Sequence, residues 1–274
     1  MTAAAILPRP FRIGLGYARI GFINILAFRL RYYTGVVTYL INVTVYYFIW
    51  KALYATDPEF ARGFSFAEMT TYVAVGWVIR SVYFNNIDQN MASDVQEGSI
   101  VMNMLKPARV QTMYIGRTIG EASFRLLLLT APAAAVICLI FPVEGPASAE
   151  AGGLFLASLG GSVLLTSAVN FIVGCFAVRM KTILGLLRAK YYVQEILSGL
   201  LVPMTMFPAA IEPWLMLLPF PHIAYTPLRL YLGKLQGADA WAALATQWAW
   251  AVVLLLFGGW FWRVMARKLT VQGG

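Results

Sequence analysis

The chain has 274 residues, of which 60% are hydrophobic and 12% are charged. An ordinary soluble domain has about 45–50% apolar and about 25% charged residues, so the composition excludes such a domain and indicates that lipid is the solvent. The net charge of +9 is compatible with nucleic-acid binding. In a membrane protein, however, the placement of basic residues first reports topology.

Six apolar runs are long enough to cross a bilayer as helices, which takes about 20 residues each. In chain order they cover about residues 34–54, 69–90, 123–141, 152–178, 184–207 and 241–262. These runs use up most of the chain, and no linker or internal repeat divides it. The sequence therefore predicts an all-α membrane protein with six transmembrane helices in a single domain, residues 1–274.

Two further segments are apolar but do not have the pattern of a spanning helix. Residues 11–31 carry Arg12 and Arg19 on one helical face, which favours an N-terminal interfacial helix; a polar-flanked approach to the first span is the alternative. Residues 207–241 contain five prolines, which interrupt a long helix. We expect short outer or re-entrant helices there, before the last span.

The basic residues are distributed unequally between the two sides of the predicted bundle. If both termini are cytoplasmic, four basic residues lie outside, Arg80 lies within a span, and sixteen lie inside, which accounts for all 21. The sixteen are Arg9, Arg12, Arg19, Arg29, Arg31, Lys106, Arg109, Arg117, Arg125, Arg179, Lys181, Arg188, Lys190, Arg263, Arg267 and Lys268. This asymmetry indicates cytoplasmic termini and contact with anionic lipid, and it leaves no basic surplus that predicts a nucleic-acid partner.

Motifs of enzyme chemistry are missing from the sequence. There is no Gly-x-x-x-x-Gly-Lys-Ser/Thr loop to bind ATP phosphates and no Gly-x-Ser-x-Gly nucleophile elbow. His222 is the only histidine and has no cysteine pair nearby, so no metal site is predicted. We therefore expect no catalytic residue and no cofactor bound by this chain.

Polar residues inside the predicted spans are the first candidates for function, because charges in lipid are costly and pair or face water. Arg80 in the second span and Glu195 in the fifth lie at comparable depth, which is consistent with an ion pair or with a substrate path. Asn85, Asn86, Asp88 and Asn90 form a polar cluster near the cytoplasmic end of the second span. A solvated helix end and a substrate path are the two interpretations of that cluster.

The longest stretch between predicted spans on the cytoplasmic side follows this cluster. It reads Glu97-Gly98-Ser99-Ile100, with Leu105-Lys106-Pro107 further on, and it resembles the first cytoplasmic loop of type-two ABC transporter permeases. The resemblance extends to the interfacial helix, the six spans and the broken outer segment. It implies a coupling helix that docks on an ATPase and is formed by Glu97, Gly98, Ile100, Leu105, Lys106 and Pro107.

The physical pattern of this loop agrees with docking, since Ile100, Val101, Met104 and Leu105 form an apolar ridge bounded by charge. Burial of the ridge against the membrane surface of the same chain is the alternative.

The same resemblance implies the partners and the cargo. The chain would work in the bacterial inner membrane with two copies of a separate ATPase, which bind ATP and Mg²⁺, and with a second permease, identical or related. It would export an amphipathic or xenobiotic substrate. Two other functions remain open at this point: an ion-coupled secondary transporter that uses Arg80, Asp88 and Glu195, and a membrane-embedded lipid-modifying enzyme.

Overall fold

The computed structural model describes residues 9–27, 29–58, 60–61, 63–180 and 182–267. Within these ranges the regular structure is helical, and no strand is present. The α-helices are α1 (Arg9–Ala27), α2 (Arg29–Thr56), α3 (Phe66–Tyr83), α4 (Ile87–Gln96), α5 (Ile100–Met104), α6 (Val110–Arg125), α7 (Ala131–Ile140), α8 (Ala149–Cys175), α9 (Leu184–Leu197), α10 (Glu212–Met216), α11 (Pro221–Tyr231) and α12 (Gly237–Ala266).

Three continuous helices in the described part of the chain are long and apolar enough to cross a membrane: Val110–Ile140, Ala149–Val178 and Gly237–Ala266. The first consists of α6 and α7 joined through a π-helical turn at Leu126–Thr130, and the second is α8 with a short 3₁₀ extension. They correspond to the third, fourth and sixth predicted spans, the third beginning earlier than expected. The all-α membrane fold is confirmed, while the count of six spans stays a prediction.

The second predicted span, about 69–90, is wrong as a single helix. Helix α3 ends at Tyr83, three non-helical residues follow, and α4 starts at Ile87. The Asn85 side chain explains the interruption, because its amide donates to the Tyr83 carbonyl (3.1 Å) and its oxygen accepts from the Ile87 N–H (3.4 Å). Asparagine side chains compete in this way with the helical hydrogen bonds of the backbone.

The fifth predicted span, about 184–207, is also interrupted. Helix α9 has 14 residues, which gives about 21 Å of helix against the roughly 30 Å thickness of the hydrocarbon core. It ends before Gly199, whose φ of +75° is in the left-handed region that favours glycine and terminates helices. The Ser198 carbonyl then accepts a hydrogen bond from the Tyr225 N–H (3.0 Å) instead of continuing a helix.

The core is built around α8, which packs against α12, α11 and α4. Gln247 of α12 is fully buried and joins three helices. Its side-chain amide donates to the carbonyls of Ser158 in α8 (2.9 Å) and His222 in α11 (2.7 Å). Its oxygen accepts from the Ser158 hydroxyl (2.7 Å). Such interhelical hydrogen bonds fix helix register where apolar packing alone does not distinguish helix from lipid.

The proline-rich segment forms short helices, as predicted. Helix α10 has 5 residues and α11 has 11. Helix α11 is not a surface feature, since Ile223, Ala224 and Leu228 are fully buried against the core. The segment is therefore an integral part of the bundle.

Helix α1 packs closely along α6 through small residues. An ideal Cβ added to Gly120 would lie 1.8 Å from the Ala18 carbonyl oxygen, and one added to Gly21 would lie 2.1 Å from the Arg117 carbonyl oxygen. Backbone thus meets backbone at this crossing. An interfacial position of α1 in the membrane stays a prediction.

We predict that Gly120→Ala separates α1 from α6, because neither backbone can yield to the added methyl group. The expected loss of unfolding free energy is about 1–3 kcal/mol, as for other overpacked sites, measured by thermal denaturation of the purified protein in detergent. Gly16→Ala is the matched control, since nothing lies within 4 Å of its added Cβ. Equal stability of the two variants would contradict this packing.

Candidate functional site

The predicted docking segment is a helix-turn-helix formed by α4 and α5. Glu97 ends α4, and Gly98 adopts a φ of +75° that reverses the chain into α5. Glycine is the residue that adopts this conformation without strain. Glu97, Gly98, Lys106 and Pro107 are all exposed. The segment therefore exposes the charged Glu97 and Lys106 together with the left-handed Gly98.

Asp94 fastens this segment to the rest of the protein, and sequence reasoning did not identify it. Its carboxylate accepts hydrogen bonds from the Ser99 hydroxyl (3.0 Å), the Asn103 side-chain amide (3.2 Å) and the Tyr114 hydroxyl of α6. Lys106 extends the network by donating to the Asn103 oxygen (2.8 Å). The available signal was an acidic residue one turn before a Gly-Ser turn, which is too common to single out.

The predicted apolar ridge is divided by the fold. Ile100 is only 1% exposed and packs into the cluster that contains Met113 and Tyr114. Leu105 is 74% exposed and Met102 63% exposed, and Met104 is also exposed. We call these last three residues the exposed ridge. Ile100 anchors the segment from inside, whereas the exposed ridge is available for contact.

Arg80 and Glu195 form the ion pair expected from the sequence, which joins α3 to α9. Arg80 Nη1 lies 2.7 and 2.6 Å from the two Glu195 carboxylate oxygens, and its Nη2 donates to the Tyr191 hydroxyl at 3.2 Å. The guanidinium also stacks over Trp77, 5.3 Å from the ring centre. The charge is thus compensated on several sides, as burial requires.

Asn85 and Asp88 do not form a solvated helix end, and that interpretation is wrong for both. They are 5% and 2% exposed, respectively, because the break after α3 turns them toward α8 and α9. Asn170 of α8 donates to the Asn85 carbonyl and side-chain oxygens (both 2.9 Å). Lys190 of α9 binds the Asn170 oxygen and the Asp88 carboxylate, each at 2.8 Å. Asn86 stays partly exposed, and Asn90, the fourth residue of the predicted cluster, is exposed.

Two cavities meet at this break, and Asn86 lines both. One has a volume of about 320 Å³, with Tyr39 and Trp77 among its walls and Glu121 at its polar side. The other, of about 610 Å³, lies between α4 and α9, with Ser93 among its lining residues. Among the described residues no group of three or more histidine, cysteine, aspartate or glutamate side chains could hold a metal ion.

The long apolar helices and the buried polar network define an integral membrane protein of the all-α class. Residues 40–273 match the model of a family described as ABC-2 family transporter protein. The chain therefore belongs to the ABC-2 family, the type-two ABC transporter permeases. Members of this family are the membrane component of a transporter, are not themselves the ATPase and normally work with a separate ATPase subunit. No curated protein matches the chain significantly.

We predict that Asp94→Ala loosens α5, because the Asn103 amide and the Tyr114 hydroxyl lose their shared acceptor. Amide hydrogen exchange in residues 99–105 should become about tenfold faster or more, since losing a charge-assisted hydrogen bond costs about 1.5–3 kcal/mol. Exchange in α8 should not change. Glu97→Ala is the control, since this exposed carboxylate lies at the same turn. Unchanged exchange in Asp94→Ala would show that Asp94 does not fasten the segment.

A second prediction concerns the Arg80–Glu195 pair. Glu195→Leu should lower the unfolding free energy by about 3–5 kcal/mol, because a buried guanidinium loses its counter-charge. The double variant Arg80→Met/Glu195→Leu should recover most of that loss. The more exposed Glu68–Lys234 pair (2.6 Å) is the comparison, and Lys234→Met should cost about 1 kcal/mol or less. Denaturation of each variant measures these differences, and failure of the double variant to recover would contradict the prediction.

Proposed function

We propose that this chain is the membrane-spanning permease subunit of an ATP-driven exporter, and that its exposed ridge is the docking surface for a separate ATPase. The observation that carries the proposal is the placement of Met102, Met104 and Leu105 on the outside of a segment that Asp94 and Ile100 hold from the inside. A lipid-facing helix needs no such polar anchorage.

The geometry of the segment suits binding in a groove of another protein. Met102 and Met104 project from the five-residue helix α5 and Leu105 from its C-terminal cap, and the charged Glu97 and Lys106 flank these three side chains. Apolar anchors with a charged rim are typical of helix-in-groove recognition. Because the anchoring hydrogen bonds already order the segment, binding costs less conformational entropy. Glu97, Gly98 and Pro107 then shape the turn, Lys106 braces Asn103, and Ile100 supports the ridge.

The partners follow from this role. We infer two copies of the ATPase, which bind ATP and Mg²⁺, and a second permease, identical or related. The permease itself acts as a single transmembrane domain without catalytic residues.

An amphipathic or xenobiotic cargo fits the smaller cavity, because its aromatic walls and its polar side match the two ends of such a molecule. Of the polar residues suggested for a substrate path, Asn85 and Asn86 line this cavity and Asp88 lines the larger one, whereas Arg80 and Glu195 line neither.

We further propose that the chain lies in the bacterial inner membrane with both termini in the cytoplasm. The support is the excess of basic residues on that side. Arg125 and Lys190, both counted on that side, are used inside the helix bundle, since Arg125 donates to the Phe84 carbonyl and Lys190 pairs with Asp88. Removing both from the count leaves the asymmetry intact.

We predict that Leu105→Ala weakens ATPase binding by about tenfold to thirtyfold, which corresponds to about 1.4–2 kcal/mol, a loss that only a minority of interface residues cause. Leu217→Ala is the matched control, because Leu217 is 63% exposed but lies after α10, away from the docking segment. Titration of the purified ATPase against each permease variant in lipid nanodiscs measures the affinity.

The proposal fails if the full-length permease purifies without any ATPase and still transports substrate in the absence of ATP. It also fails if Leu105→Ala and Leu217→Ala bind the ATPase equally well.

A further inference from the structure

Helix α9 is attached to the rest of the protein differently from its neighbours. None of its 14 residues is buried, whereas α3, α8 and α11 each bury many residues. Its apolar contact with the described part of the chain is small: Leu186 and Leu187 lie half-buried against Ala92 and Ile183. The close contacts of α9 are instead polar.

Two ion pairs hold α9, one on each side of the break between α3 and α4. Glu195 binds Arg80 of α3 at 2.6 Å, and Lys190 binds Asp88 of α4 at 2.8 Å. Both pairs are shielded, with side-chain exposures of 10% and 13% in the first and 15% and 3% in the second. Arg80 and Asp88 carry opposite charges, as do their partners Glu195 and Lys190, so the two pairs form in only one register of α9.

The end of α9 beyond the ion pairs is held at a fixed point. The Tyr225 N–H of α11 donates to the Ser198 carbonyl (3.0 Å), and the Tyr72 hydroxyl of α3 donates to the Gly199 carbonyl. Gly199 has a φ of +75°, and hinges are often small residues at the ends of elements. A rotation of α9 about Ser198 and Gly199 would therefore move its other end, near Leu184, by the largest distance.

The cavity of about 610 Å³ lies along the side of α9 that such a rotation would displace. Gln89, Ala92 and Ser93 of α4 line one wall, and Leu187 and Lys190 of α9 line the other. Ala92 is only 8% exposed, because the first turns of α9 and the residues before it cover it. Displacement of α9 would expose Ala92 and widen the cavity.

We propose that the Arg80–Glu195 and Asp88–Lys190 pairs form a latch, and that opening it releases α9 to swing about Ser198–Gly199 and open the cavity between α4 and α9. Repacking of ion pairs at an interface accompanies known rigid-body transitions, and here two ion pairs rather than buried residues hold α9. The latch does not require the ATPase proposed above. Its test is therefore independent of the docking proposal.

Cysteine accessibility tests the latch directly. Ala92→Cys is introduced into full-length protein that carries Cys138→Ala, since native Cys138 is exposed and native Cys175 is buried. The protein in lipid nanodiscs is treated with a water-soluble maleimide. Glu195→Gln combined with Lys190→Met should label position 92 about tenfold faster, which corresponds to about 1.4 kcal/mol in the opening equilibrium. Cys175 should stay protected.

Two controls separate the latch from general unfolding. Lys234→Met removes an ion pair that does not contact α9, and it should leave labelling at position 92 unchanged. The charge exchange Asp88→Lys/Lys190→Asp rebuilds one pair with its charges reversed. In this variant the labelling rate at position 92 should be closer to the parent rate than in the latch variant. The proposal is overturned if the latch variants label at the parent rate, or if position 92 and Cys175 become reactive together.

Discussion

The structure depends on satisfying the backbone polar groups that the break between α3 and α4 leaves without helical partners. Buried peptide groups must find hydrogen bonds elsewhere, and here side chains from α6 and α8 supply them. Arg125 donates to the Phe84 carbonyl, and Asn170 donates to the Asn85 carbonyl. Lys190 then fixes Asn170 while it neutralises Asp88. One interruption of the backbone thus accounts for a basic side chain, an asparagine and an ion pair in the interior.

The break also determines where the surfaces proposed for function lie. Because α4 does not continue the direction of α3, Asp94 reaches Tyr114 and holds α5 with the exposed ridge outward. Helix α9 is fastened on both sides of the break through charge rather than through buried apolar area. A rigidly anchored docking segment and a loosely packed helix are therefore both fastened to α4, through Asp94 and Asp88 respectively. In the proposed exporter, α4 would connect the docking surface to a helix that lines a cavity.

Much of the fold is predictable from residue type and run length. The predicted spans 152–178 and 241–262 lie within the continuous helices Ala149–Val178 and Gly237–Ala266, because uninterrupted apolar runs flanked by polar residues leave few alternatives. The interruptions were not predicted, since Asn85 and Gly199 break helices only through specific local hydrogen bonds and a left-handed backbone. The Arg80–Glu195 contact was expected from depth alone. Asp94 was missed because its role depends on the turn at Gly98, which brings Ser99 and Asn103 back toward it.

The central claim is that the exposed ridge contacts an ATPase, and site-specific cross-linking tests it most directly. Met102→Cys is introduced into the full-length permease together with Cys138→Ala. The purified complex is then treated with a short cross-linker that joins a thiol to an amine. The covalent product is then sequenced by mass spectrometry. The account predicts a cross-linked peptide from a subunit that carries the phosphate-binding Gly-x-x-x-x-Gly-Lys-Ser/Thr motif, and none from Leu217→Cys. An ATPase cross-linked through position 217 but not through position 102 would contradict it.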